Sequence, residues 1–447
     1  MKSEQQYIDL YQEFRETIQL HSVPALNALR EEAFASFCEK GFPSRKVERY
    51  KYTNVSEAFA PNYGVNLNRL QFPVNPYDAF RCDVPNLSTS LYFVINDSFH
   101  AGSLPKVQLP EGVIVDSLAH AATTHPHLVQ TFYGRYAKSE EDGITALNTM
   151  LCQDGIFIYI PEGVSVSRPI QVVNILRSDV DLMVNRRVLV VLEKGAQAKL
   201  LFCDHAMDNR SFLLTQVSEI FVGEGADLQL YELEETHTQN HRFANMFLHQ
   251  SAHSSTSLGH ITLHNGTTRN RTDIVLEGEY AQTNLYGCVT ADKKQHVDNN
   301  TFIDHQASHC TSNELFKYVL DGSSTGAFAG RVLVREGAQK TVSQETNANL
   351  CTTKEARMYT QPMLEIYADD VQCSHGSTVG QLGDAALFYM RQRGIPLEEA
   401  RLLLKSAFVG QVIDVIPMEA LRDRLRYLVE KRFRGELSKC EGCKLCK

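Results

Sequence analysis

Three groups of residues in this 447-residue chain have the side chains and spacing to do chemistry. The first is Cys373-Ser374-His375-Gly376. A thiolate is a soft ligand for iron or sulfur, and an imidazole suits iron as well. Two residues apart on an extended backbone, Cys373 and His375 face the same side. The ordinary alternative is a buried cysteine beside a loop histidine.

The second group is the tail, Cys440, Cys443 and Cys446, spaced Cys-x2-Cys-x2-Cys. That spacing is part of an iron–sulfur or zinc ligand run, but a fourth ligand and a following fold are missing. A metal-binding tail and an inert end both stay open. The third group is His237, His241, His249, His253, His260 and His264. Histidines four apart converge on a helix, whereas this region alternates like strand. Polar strand faces are therefore expected, with a β-helical metal-dependent enzyme using the 237–264 face as the alternative. His296, His305 and His309 with Cys310 read the same way.

No Walker A loop, no Gly-x-Gly-x-x-Gly after a strand and no Gly-x-Ser-x-Gly occurs, so any use of ATP is expected from a partner. The net charge of −9 argues against general nucleic-acid binding. It is uneven: residues 383–447 hold 13 Lys/Arg and 9 Asp/Glu, a net of +4, which leaves −13 on the rest. A solvated helical face is the plain reading, and a docking surface for an acidic partner the other. There is no run of about 18 apolar residues and no signal peptide, so no membrane association is expected. The 11 cysteines show no disulfide-framework spacing, which fits a reducing cytoplasm.

The elements that must position these residues fall into three expected regions: 1–85, helical with a linker; 86–380, a β-rich core; and 381–447, a helical region ending in the cysteine tail. Tyr7, Leu10, Tyr11, Phe14 and Ile18 recur at helical steps, and a second helix is predicted from Pro24 to a stop at Gly41. Prolines cluster at Pro61, Pro73, Pro76 and Pro85. Pro43 to Thr53 reads as a helix end packing its aromatics, with no chemistry assigned. A short helix is predicted near Thr145 to Leu151.

From Pro169 to Pro362 the chain runs 192 residues without a proline, as expected where backbone N–H groups are consumed in ladders. Lys194-Gly195-Ala196, Glu224-Gly225-Ala226 and Glu336-Gly337-Ala338 each stand between two strand-like runs, where glycine supplies positive φ cheaply. Short strands and glycine turns at drifting periods of about 15 to 30 residues predict a parallel β-helix, with a sandwich of two sheets repeated twice as the alternative. After Gly380 the pattern is helical: Asp384 as N-cap, Gly394 as the C′ stop, Pro396 opening the next helix. That helix is apolar on more than one side, so it is buried or meets a partner.

Leu364-Glu365-Ile366, Asp370-Val371, the run Cys373 to Leu382, Leu387-Phe388-Tyr389 and Arg393-Gly394-Ile395 together resemble the SufB/SufD family of iron–sulfur cluster assembly scaffolds. The 43–53 segment and the 145–175 stretch resemble it too, and the likeness is weakest over 200–330. The resemblance implies a mainly β protein: a right-handed parallel β-helix core flanked by N- and C-terminal α-helical domains. It implies a functional His375, with Cys373 a lesser candidate for holding a transient iron–sulfur cluster and no tightly bound cofactor. It also implies a SufC-type ABC ATPase docked on the C-terminal helices, where Leu402, Leu403, Phe408 and Val412 share a broad apolar face. The other implied partner is a SufB-like paralogue, or a second copy as a homodimer. In SufB members a cysteine stands where this chain has Ala356, and a glutamate follows the histidine where it has Gly376. Both departures place the chain on the SufD side and leave it too few ligands to hold a cluster alone.

Overall fold

The computed structural model describes residues 3–76, 89–101 and 109–435. From Gly155 to Gly380 the strands alternate between two sheets, each strand pairing in parallel with the next but one. Leu182 lies beside Phe212, Phe212 beside Asn240, Thr267 beside His296 and Thr325 beside Arg357, steps of 30, 28, 29 and 32 residues. This is a parallel β-helix, and that pairing rules out the repeated sandwich.

Inward side chains of the two sheets fill one continuous lumen core, from Val94, Ile156 and Ile158 through Leu258 and Ile274 to Phe328 and Val334. The outer faces are covered as well. Tyr7, Tyr11, Ile18, Phe37 and Leu147 of the N-terminal helices pack on Met183, Leu213 and Phe243 of one sheet. Val409, Val412, Ile413, Leu421 and Leu425 of the C-terminal helices pack on Leu201, Tyr231, Leu233 and Ile261 of the other. Central strands such as Leu182–Leu192 are therefore buried along their whole length, so they lack an alternating pattern.

One edge of the coil is a column of turn residues in the left-handed region: Gly163, Gly195, Gly225, His253, Tyr280, His309 and Lys340. Each donates its backbone N–H to the turn of the following coil, as Gly195 does to Glu224 O and His253 to Glu279 O. The repeat is exact in space but changes from glycine to bulky residues midway, which hides it in the sequence. The rings of His253, Tyr280 and His309 stack, with centroids 5.1 and 4.7 Å apart.

The N-terminal helices are pinned to the coil by buried polar groups. Arg187 and Glu219, both fully buried on an outward face, form an ion pair at 2.9 Å. Glu219 also accepts the N–H groups of Gly134, Tyr136 and Ala137. Arg30 caps the helix Gly143–Leu151 by donating to Met150 O and Cys152 O. Pro43 to Thr53 docks rather than reacts: Tyr50 bonds Asp142, Arg49 pairs with Asp273, and Thr53 bonds Asp298.

Two boundaries differ from the sequence reading. The helix predicted from Pro24 is two, Pro24–Asn27 and Arg30–Lys40, broken at Ala28–Leu29. Gly383, not Asp384, caps Asp384–Gln392, so Asp384 sits in the first turn, where its charge still meets the positive end of the helix dipole. Gly394 ends that helix at φ 81°, as expected.

Candidate functional site at the open end of the coil

The coil stops with Arg357–Ile366 in one sheet and Gln372–Gly380 in the other. Each pairs on one side only among the described residues, so each leaves an outer edge of backbone N–H and C=O groups free. Neighbouring apolar side chains are bare, Val379 at 51%, Phe388 at 65% and Tyr389 at 61% exposed. No residue of the helix Asp384–Gln392 is buried.

Cys373 and His375 lie on this last strand and, two apart, belong to its inward face. Their surroundings differ. Cys373 is half-buried against the lumen core and continues a column of hydroxyls, beside Ser343, which stands beside Ser312. Ser312 and Ser343 share a hydrogen bond of 2.8 Å, and His305 Nε2 meets Ser312 Oγ at 2.9 Å. Burial raises the Cys373 thiol pKa and the Ser343 backbone offsets part of that, so the thiol is a poor thiolate source. His375 is exposed, because no strand among the described residues lies above it. Ala356, just before the strand Arg357–Ile366, packs on the lumen core and offers no ligand atom.

The column leading to His375 changes chemistry along its length. Leu200, Leu230, Leu258 and Leu285 stack in register, and then Glu314, Glu345 and His375 follow. Glu314 and Glu345 are each 1% exposed, and none of their four carboxyl oxygens has a hydrogen-bond partner among the described residues. Burial pushes Glu314 up to about 7. Burial and the charge of Glu314 push Glu345 up to about 9. Both acids escaped the sequence reading. Their signal was an acid at an inward position of a strand, in Thr311–Leu320 and Val342–Cys351, but parity cannot be assigned without the register.

The histidine run does not gather. His260 lies in the lumen, bonded to Glu232 and Thr272. His249 stacks on Tyr136 and pairs with Glu277 outside. His253 belongs to the turn column, while His237 and His264 bond the backbone at Asp208 and Thr236. His241 is partly buried, and burial lowers its pKa. His296 meets Thr53, His305 faces the lumen, His309 stacks on Tyr280, and the Cys310 thiol bonds Gly278 O. Among the described residues no group of three or more His, Cys, Asp or Glu side chains is placed to hold a metal ion. The tail cysteines Cys440, Cys443 and Cys446 lie outside the described residues.

The expected partner-facing set on Leu397–Ile413 needs correction. Leu402 and Val412 are buried at 6% and 1%, Val412 in the core shared with the outer face of a sheet, so neither is available to another protein. Phe408 is half-buried there and takes the Lys317 ammonium over its ring at 4.3 Å. Leu403 alone of the four is exposed, because it points off the opposite side of the helix. No helix among the described residues is long and apolar enough to cross a membrane.

Residues 1–172 match the family model of the SufBD protein N-terminal region, and residues 175–408 that of the SUF system FeS cluster assembly, SufBD core domain. An iron–sulfur cluster assembly SufBD family protein of Synechocystis sp. is 28% identical over 399 residues, 87% of each chain. The iron–sulfur cluster assembly protein SufD of Escherichia coli is 30% identical over 296 residues, 65% of this chain and 69% of that one. SufD of Bacillus subtilis is 24% identical over 420 residues, 92% of this chain and 95% of that one.

Proposed function

This chain belongs to the SufBD family of the SUF system for FeS cluster assembly, and from that premise we propose that it is a SufD-like scaffold subunit. It pairs end to end with a SufB-like paralogue and docks a SufC-type ATPase through its C-terminal helices. The nascent cluster is cargo at the paired ends, and ATP hydrolysis is the partner's chemistry. The supporting observation is the open last coil, which presents His375 on an inward column beside two free sheet edges.

Each part follows from the physics of that end. A free edge of unpaired N–H and C=O groups pairs readily with another strand. A neutral imidazole supplies one nitrogen to iron, and the remaining ligands come from the other chain. Cys373 is a packing residue in this reading, and His375 the ligand. Phe388, Tyr389 and Leu403 are bare apolar side chains of the C-terminal helices, suited to a partner. The seven described cysteines are all free, which agrees with work in a reducing cytoplasm.

Co-purification tests the reading. The tagged chain is expressed with a SufC-type ATPase and a SufB-like protein from the same source. A stable complex that loses the ATPase in Leu403→Asp supports it. Elution of the wild-type chain without either protein, alone or as a homodimer, sinks the heteromeric scaffold.

A further inference from the structure

The end of the lumen holds two carboxyl groups that the chain itself leaves unanswered. Glu314 and Glu345 occupy consecutive positions of one inward column, where the four preceding coils place leucine. Across the lumen, Thr301, Gly330 and Pro362 form the facing column, and Thr301 Oγ1 is also without a hydrogen-bond partner. Gly330 is where it is for space: a Cβ there would collide with Glu345 Oε1. The glycine thus makes room for the acid. Leucine would have continued the dry core, so the change to two unpartnered acids and a hydroxyl calls for an occupant.

We propose that Glu314 and Glu345, with the Thr301 hydroxyl, form a binding site for a hard divalent cation inside the end of the lumen, reached past His375. All its donors are oxygen, which selects ions of the magnesium, manganese or ferrous kind over soft metals. Two buried carboxylates with no cation beside them among the described residues cannot both stay charged, so without the ion the pair carries protons. A divalent ion displaces one proton from each carboxyl, which leaves a neutral ion–dicarboxylate set and no change of oxidation state. A single coil, Pro362 and His375, separates Glu345 from the open end, which provides the entry path. The site belongs to the single chain and does not depend on the scaffold reading.

The test is titration of the metal-stripped full-length chain with Mn2+ at neutral pH, the free ion read by its paramagnetic resonance signal. The cysteines of the tail are changed to serine throughout. One ion per chain is expected, with a raised thermal midpoint on binding. Glu314→Gln and Glu345→Gln each keep the shape, and each is expected to weaken binding about tenfold or more and to lose the thermal shift. Glu365→Gln, an acid paired with Arg331 on the outside of the coil, is the control expected to bind as wild type. Unchanged binding in both lumen variants overturns the proposal. So does a wild-type chain that binds no Mn2+, a result that holds even if a variant fails to fold. Neither outcome bears on the partners, since none is present.

Discussion

Glu345 stands directly beside His375 in the last parallel pair of the coil, a buried carboxyl against an exposed imidazole on one inward column. The two are neighbours because parallel strands one coil apart bring residues 30 positions apart to a spacing of about 4.8 Å. The same stacking sets Cys373 beside Ser343, so the two members of one sequence motif end columns of different character: hydroxyls beneath the thiol, acids beneath the imidazole.

That difference predicts a split between the two motif residues. Cys373→Ser extends the hydroxyl column and is expected to leave complex formation and cluster yield near wild type. His375→Ala is expected to leave the complex intact and lower the cluster content several-fold. The visible absorbance of the purified complex measures both, and a larger loss in the serine variant would reverse the assignment.

Leu402 and Leu403 are adjacent in sequence and opposite in environment. Leu402→Ala is expected to cost about 2–4 kcal/mol of stability in urea unfolding. Leu403→Ala should change it by less than about 0.5 kcal/mol while weakening retention of the ATPase.

Gly330→Ala sets a methyl group against the Glu345 carboxyl. It is expected to destabilise the chain by about 1–3 kcal/mol. Shortening the acid should relieve the clash, so Gly330→Ala with Glu345→Ala is expected to cost less than the sum of the two changes, a coupling read from a double-mutant cycle.

The clasp between coil and N-terminal helices rests on a fully buried pair. Arg187→Met strands Glu219, and the expected loss is about 3–5 kcal/mol. Protease susceptibility of the first 70 or so residues should rise with it, since Glu219 also anchors the Gly134–Ala137 loop.

His305 supplies a pH dependence. Burial lowers its pKa from 6.5 to about 4, and the charge of Asp304 offsets only part of this. Between those values the unfolded chain binds the proton and the native chain does not, so stability falls as the pH drops through that window. Above 6.5 both states are neutral and the penalty is absent; below about 4 it is complete, at about 3 kcal/mol. His305→Gln should flatten the stability profile between those two pH values, measured by urea midpoints.

Much of the architecture is written in local signals. A stretch of 192 residues without proline, between helical ends, marks a body whose backbone donors are all engaged. Gly394 and the helical spacing of Tyr7, Tyr11 and Ile18 fix where helices stop and which side they bury. The pairing of Cys373 with His375 on one face needs nothing beyond an extended backbone. These properties depend on residues within one or two turns of each other, so the sequence determines them by itself.

Tertiary structure decided the rest. Steps of 26 to 32 residues between coils, and turn positions that pass from Gly225 to His253 and Tyr280, leave no fixed period to read. Without the register, Glu314 and Glu345 are two acids among many, and Leu402 and Leu403 are equal members of one apolar face. Stacking gives each inward residue its neighbours from the coils above and below, and packing of Leu397–Ile413 on the sheet decides which of its leucines meets solvent. Burial and register are sums over contacts far apart in the chain, and for that reason only the folded coil could supply them.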